Sequence, residues 1–538
     1  MTTLVRGRIF TADAALPWAE AMVVDGDTIT FVGTLDEAAL HGGVDAEVID
    51  ASSGVVIPGF VDGHSHLLNQ GAALTRASLR PCTSLDEIHA ELLRWLAENP
   101  DAPRVMGVGW VFMAVPNSIP TRQMLDEIIS DRPVYLDASD LHSVWTNTAG
   151  LAELGIDDDT PDPIGGEIVR DEHGHATGLL MENAGYHIAW PVMNRTTAEQ
   201  QDLQLRTAID AYLATGTTTA VDMAVNQQSL DTFRRAEARG ELAFTIVGHW
   251  LINRTGDPNT ELAQVARVAE LVRQEQTSRV KLVGIKLVTD GTIDGCTAGM
   301  LEPYTNHLPG EMVWPRGALE PVMRAADEAG LQIAAHAIGD LAVRTVLDVF
   351  EVLAAERAAR GDTGERRHRI EHLEYVDATD VPRLAPLGVT ASMQPVHVDP
   401  AYLDNWVELL GDERAQRGFA WPEYLAHGTT LAFGTDTPTA PHRALPNMYI
   451  AATRCSAHDH TATPLRPDFA LPLDESVVHG TSDSAWASFE EARRGSLRVG
   501  LAADFVVLDR NPFELGARSL LEAEVVTTVV AGVIAYQR

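Results

Sequence analysis

Apolar residues recur along this chain at two periods, and the ends differ from the middle. Leu4-Val5-Arg6-Gly7-Arg8-Ile9-Phe10 alternates apolar and polar side chains, the period of a half-buried strand. Residues 21–33 read as two apolar arms around Asp25-Gly26-Asp27, a hairpin turn signal. Val48-Ile49-Asp50 adds another strand. These strands are too few to close a core by themselves. At the far end, residues 500–509 form a strand after a glycine turn, and residues 525–536 read as a final hairpin. The expectation is one β-sandwich built from both termini, residues 1–57 and 471–538, with everything between inserted into it.

The middle alternates short apolar runs with helical periodicity, the pattern of βα units. Eight candidate strands fall at residues 55–61, 217–223, 243–249, 280–288, 332–336, 369–372, 389–394 and 430–436. Eight strands alternating with helices predict an α/β fold, a (β/α)8 TIM barrel over residues 58–470, with its chemistry at the strand C-terminal ends. One connection is too long for a βα unit: about 150 residues separate the first two strands. It carries its own helix pattern at 84–97 and strand pattern at 132–136. It is expected to be an inserted subdomain, about residues 68–200, after barrel strand 1.

Charge narrows the function classes. Among 538 residues, Lys+Arg is 40 and Asp+Glu is 76, a formal net charge of −36. Nucleic acid and anionic membrane both demand basic patches, so neither is an expected partner. No apolar window reaches the ~18 residues of a membrane span, and the first residues lack the apolar core of a signal peptide. Three cysteines, Cys82, Cys296 and Cys455, make no disulfide framework and fit a reducing cytoplasm.

Candidate chemistry gathers at the strand ends. Val55-Val56-Ile57-Pro58-Gly59-Phe60-Val61-Asp62-Gly63-His64-Ser65-His66 is an apolar run ending in His-x-His. Two imidazoles projecting side by side can grip one metal ion, although a bare His-x-His is also an ordinary strand exit. The fourth strand carries Lys286 inside an apolar run, where an amine must pair, shift its pKa or be modified. The fifth ends in His336, the sixth in His372 and the eighth in Asp436. Each histidine alone reads more often as a packing residue and Asp436 alone as a turn cap, while Lys286 is harder to set aside; the set of six points to a site.

These residues resemble the amidohydrolase superfamily, and more narrowly the amidohydrolase-3 branch that includes N-substituted formamide deformylases. The matching segments are Arg132-Pro133-Val134-Tyr135-Leu136, Asp140-Leu141-His142-Ser143-Val144-Trp145-Thr146-Asn147, Pro161-Asp162-Pro163-Ile164-Gly165-Gly166-Glu167-Ile168, Asp290-Gly291, His336-Ala337-Ile338-Gly339-Asp340, Arg369-Ile370-Glu371-His372-Leu373-Glu374, Gln394-Pro395-Val396-His397 and Ala502-Ala503-Asp504-Phe505. Leu141 stands where the branch often has glycine.

The resemblance implies two divalent metal ions, zinc as the first choice, held by His64, His66, Lys286, His336, His372 and Asp436. Lys286 would be carboxylated and bridge the pair; without carboxylation a one-metal site remains. Paired ions make hydroxide available near neutral pH, and Asp436 would be the general base and then the acid toward the leaving nitrogen. Asp140, His142, Trp145, Asp290 and His397 are the expected substrate contacts, with core packing an equal reading for Trp145 and a surface role for His397. The expected activity is hydrolysis of a small-molecule C–N amide bond, such as an N-substituted formamide. Alternatives are a cyclic amide, carbamate or ester, or a non-catalytic metal-stabilised binding protein. A cytoplasmic homodimer is expected.

Overall fold

The computed structural model describes the chain except Met1, residues 44–45, 140–142 and 164–165, Asn183, Asn194, Glu275, Tyr402 and Asp404. Two compact units emerge: residues 1–66 with 209–538, and residues 67–208.

The first unit contains an eight-stranded parallel sheet. Its strands are β1 (Phe60–Ser65), β2 (Thr217–Val225), β3 (Thr245–Leu251), β4 (Val280–Val288), β5 (Gln332–Ala337), β6 (Arg369–His372), β7 (Thr390–Met393) and β8 (Leu431–Phe433). Neighbours in that order pair along the sheet. Just beyond β8 the chain returns to β1: Asp436 N donates to His64 O at 2.7 Å and His66 N to Thr437 O at 3.1 Å. The sheet therefore closes into a barrel at its C-terminal rim.

Parallel strands covered on both faces must be apolar outward and filled inward. Ile285, Leu287, Ile333, Ile370, Met393 and Leu431 belong to the large core that the helices cover. The helix Asp340–Arg360 contributes Val343, Val346, Leu347, Phe350 and Leu353 to it. Burying each such side chain stabilises the fold by roughly 1.5–3 kcal/mol. Inside, Val221, Met223, Val247 and Ala334 form a small apolar layer. His249, Lys286, Arg369 and Glu371 are buried with almost no exposure, so the barrel interior turns polar toward the rim.

The run at 55–61 is not one barrel strand. Residues up to Pro58 belong to the strand Glu47–Pro58 of a different sheet, and β1 starts at Phe60. The break falls at Gly59, where a Cβ would sit 2.4 Å from Thr218 Oγ1. Only glycine lets the backbone pass that close while Gly59 N donates to Asp504 O. That other sheet has seven strands, from Thr2–Phe10, Trp18–Asp25, Thr28–Gly33, Glu47–Pro58, Phe505–Leu508, Val525–Val530 and Val533–Gln537. It curls over itself: Ile29 N donates to Leu501 O and Ala503 N to Asp27 O. Val5, Met22, Val24, Ile29, Phe505 and Val507 fill the space enclosed.

The second unit carries a six-stranded sheet, including Val105–Trp110, Val134–Ala138 and Ser143–Thr146. Its helix Leu85–Glu98 starts at Ser84, whose side chain accepts from Glu87 N. Trp145 does not wall a pocket here. It is fully buried, its indole N–H donates to Thr121 O at 3.0 Å, and its ring lies 5.5 Å from Trp110. An indole whose one donor is already satisfied in an apolar core is a packing residue. Asp140 and His142, the other expected contacts in this region, lie outside the described residues.

Candidate metal centre

The strand ends of the barrel bring most of the expected ligands together. Ligand atoms of His64, His372 and Asp436 lie within 4.8 Å of one another, all buried. His66 Nε2 is 3.1 Å from Asp436 Oδ1, and His64 Nε2 is 3.3 Å from the same oxygen. The His336 ring centroid is 4.4 Å from that of His372. Lys286 alternates with the outward Ile285 and Leu287 and so points into the barrel. Its charge depresses the basicity of His64, His336 and His372, which places the amine among them. His397 reaches the same place from beyond β7. Its Nδ1 is 3.2 Å from Glu374 Oε1, its Nε2 3.7 Å from Asp436 Oδ2, and its ring stacks on His372 at 5.8 Å. His372, Glu374 and His397 also bring ligand atoms within 4.8 Å of one another.

Two of these residues have left-handed backbones, His372 with φ 75° and Asp436 with φ 56°. Such conformations cost on the order of 1–3 kcal/mol outside glycine and collect at functional sites. At Asp436 the turn is held by its own N–H on His64 O. The strained turn thus aims its carboxylate at His64 of β1 and at His66 just beyond it.

Electrostatics suit a cation. Burial would raise Asp436, but His64, His66 and His372 outweigh it and hold the carboxylate well below its usual range. Burial and the Lys286 charge push His64 down to about 4 and His336 to about 3. The imidazoles therefore keep the lone pairs that a metal needs. Burial lowers Lys286 to about 8, against the pull of Glu371 and Asp436. Its Nζ, together with His66 Nδ1 and His372 Nδ1, is buried with no hydrogen-bond partner among the described residues. Orphaned polar atoms of this kind cost about 1–3 kcal/mol each. An electron-pair acceptor at the imidazole nitrogens removes that cost for the histidines, and conversion of the Lys286 amine to an anion removes it there, so this set fits divalent metal.

Three supporting residues went unrecognised in the sequence. Glu371, fully buried, accepts from His64 Nδ1 at 2.7 Å and from Arg369 Nε at 2.5 Å. Burial would raise it, but Arg369 and His64 hold it well below its usual range. The signal was present in Arg369-Ile370-Glu371, where opposite charges two apart share one face of a buried strand. Asp62 accepts from Thr435 N, Thr435 Oγ1, Tyr212 Oη and His64 N, tying β1 to the loop after β8. Glu374 orients His397.

Asp290 is a correction. It was expected to contact substrate, yet it is fully buried and accepts from Ile338 N, Gly339 N and Gly299 N at 2.9–3.1 Å. Its carboxylate is used up in joining three loop segments; burial pushes it up to about 7. His336 Nε2 lies 3.4 Å from it.

Comparisons with known proteins agree with this geometry. The sequence model of the Amidohydrolase family matches residues 47–536. The N-substituted formamide deformylase of Arthrobacter pascens is 27% identical over 548 residues, covering 99% of this chain and 98% of that protein. Protein LONG AFTER FAR-RED 3 of Arabidopsis thaliana is 29% identical over 539 residues, covering 98% and 90%. The crystal structure of an uncharacterized metal-dependent hydrolase from Pyrococcus horikoshii superposes with a TM-score of 0.78 at 26% identity, covering 95% and 98%. A match over nearly the whole length, together with this barrel and its ring of histidines, establishes that the chain belongs to the amidohydrolase family of metal-dependent hydrolases.

Proposed function

We propose that this protein hydrolyses an amide C–N bond of a small molecule, with N-substituted formamides the first substrate class to try. The observation that carries the reading is the meeting of His64, His372 and Asp436 ligand atoms within 4.8 Å, beside the buried Lys286 amine, which has no hydrogen-bond partner among the described residues. The formamide choice is supported by the named activity of the Arthrobacter relative, which aligns end to end with this chain.

His64, His66 and Asp436 would hold one divalent ion, and His336 and His372 a second. A neutral Lys286 amine can add carbon dioxide, releasing one proton and leaving an anionic carbamate that would help hold divalent metal. If it stays an amine, one ion is held. Bound zinc supplies an acidified water and a polarised substrate carbonyl. The chain's own groups then move the proton. Asp436, kept ionised by its histidines, accepts it from the attacking water and delivers it to the leaving nitrogen. His397, held by Glu374, faces Asp436 and is the candidate to meet the substrate carbonyl oxygen.

The test is metal analysis of the purified protein followed by turnover assays over small formamides. Bound divalent metal, formate release, and loss of turnover in Asp436→Asn with the metal retained are the expected results. Metal without turnover of any formamide sinks the formamide assignment; function that persists in Asp436→Asn sinks the hydrolase reading.

A further inference from the structure

Among the described residues, Gln394 is the one side-chain carboxamide that is wholly buried with neither of its polar atoms hydrogen-bonded. It shows no exposed surface, and neither Oε1 nor Nε2 has a hydrogen-bond partner among the described residues. Its backbone is extended, φ −119° and ψ 96°, so the alternation of β7 runs through it. Two residues earlier on the same face, Ser392 Oγ accepts from Arg369 Nη2 at 2.6 Å inside the barrel. Met393, between them, packs outward in the core. Gln394 therefore points inward at the rim. On one side stands β6 with His372. On the other, Gly434 N donates to Met393 O at the start of the turn carrying Asp436.

We propose that Gln394 is a specificity-determining residue that reads the substrate by pairing with an N–H and a C=O set side by side on one edge. The inference rests on the amide-hydrolase reading and narrows it to primary carboxamides and cyclic amides or ureides, which places it against the N-monosubstituted formamides, themselves trans secondary amides, as the substrate class. A carboxamide offers one acceptor and a donor about 2.2 Å apart on a rigid plane, a separation that follows from the amide geometry. A ligand that satisfies both must present the mirror pattern. Primary carboxamides and cyclic amides or ureides do so. A trans secondary amide, the favoured form by about 2.5 kcal/mol in simple cases, points its N–H and C=O opposite ways and can satisfy only one. A polar pocket left half-paired rejects such an analogue, because its buried groups stay desolvated without a partner.

The test uses zinc-loaded protein titrated with 2-pyrrolidinone and with N-methyl-2-pyrrolidinone, which differ in the single donor. Wild type is expected to bind the parent lactam at least about tenfold more tightly, one hydrogen bond's worth. In Gln394→Met the ratio should fall to near one, with zinc content unchanged. The ligand-free Gln394→Met protein should melt at or above the wild-type temperature, since an unsatisfied amide has been removed from the interior. Equal ratios in both proteins, no discrimination or no binding by wild type, or a marked loss of melting temperature in Gln394→Met would each overturn the proposal. Failure of the hydrolase reading is seen separately, as absent turnover of every amide by zinc-loaded wild type, and leaves the binding ratio readable.

Discussion

His64 donates from Nδ1 to Glu371 Oε2 at 2.7 Å, joining residues 307 positions apart in a contact with no solvent access. With Nδ1–H committed there, Nε2 carries the free lone pair, and it is Nε2 that faces Asp436. Glu371 is in turn held by Arg369, whose Nη2 also donates to Gly63 O beside His64. A carboxylate behind a ligating imidazole fixes its tautomer and raises its donor strength, typically worth 10–100-fold in metal affinity. Glu371→Gln removes the charge, keeps the shape and leaves Arg369 buried without its counter-ion. Zinc affinity should fall by about that factor in competition with a chromophoric chelator, together with a lower melting temperature. An unchanged affinity would show that His64 is not a ligand.

Removing the metal should itself destabilise the protein. His66 Nδ1, His372 Nδ1 and Lys286 Nζ are then buried without hydrogen-bond partners among the described residues. Ligand linkage gives about 2.7 kcal/mol at one hundred times the dissociation constant. Chelated protein should melt several degrees below the zinc-loaded form and recover on adding zinc. A melting curve indifferent to chelator and to zinc would remove the metal from the argument.

The chelated protein should also lose stability as pH falls from 6.5 toward 4. Burial holds His249 and His336 near 3, and His64 and His442 near 4. The unfolded chain protonates each near 6.5. Over that window the unfolded state binds more protons at these four sites, so their contribution to stability rises with pH and is lost on acidification. Asp62 and Asp290 act in the opposite sense. Burial raises them to about 6 and about 7, so the folded state holds their protons down to the unfolded value near 4. At pH 5 these six groups leave a net uptake of about two protons on unfolding, or about 2.7 kcal/mol per pH unit. Urea unfolding at pH 6.5, 5.5 and 5.0 measures the slope; stability that stays flat or rises on acidification contradicts the burial of these imidazoles.

The expected ligands were legible because the histidines and Asp436 end recognisable apolar runs, Lys286 interrupts one, and a parallel barrel gathers strand ends at one rim. Glu371 and Gln394 were not singled out because one residue's position in a short strand carries no sign of what it faces. Glu371 becomes meaningful only when the closed barrel brings the inward faces of β6 and β1 together, although the chain reaches β1 307 residues earlier. Trp145 and Asp290 show the converse failure. Beside familiar motifs Trp145 reads equally as pocket wall or core and Asp290 reads as a substrate contact, whereas the first fills a core and the second joins loop segments. The register of the first barrel strand was misread for another reason. Apolar character continues unbroken across Gly59, and only the clash that a Cβ would make with Thr218 reveals where one sheet stops and the next begins.

Lys286 separates the two-ion arrangement from the one-ion arrangement. Its amine is 3% exposed, lacks a partner among the described residues, and is drawn by burial to about 8. An ammonium in that position repels a neighbouring cation; a carbamate attracts two. Lys286→Arg keeps a permanent charge that no local field neutralises, so it should lower metal content below the wild-type value and reduce amide turnover by at least about a hundredfold, in line with the loss of general electrostatic stabilisation. Lys286→Glu places a carboxylate on a shorter stem and should recover metal binding better than turnover, since the charge returns but its reach does not. Reloading chelated wild type in carbonate-free buffer should give one ion per chain, rising to two when bicarbonate is added, with turnover rising in step. A ratio that stays at one with full turnover, whatever the bicarbonate, would assign the chemistry to His64, His66, His372 and Asp436 alone and make Lys286 a neutral neighbour whose low basicity merely spares the site a second positive charge.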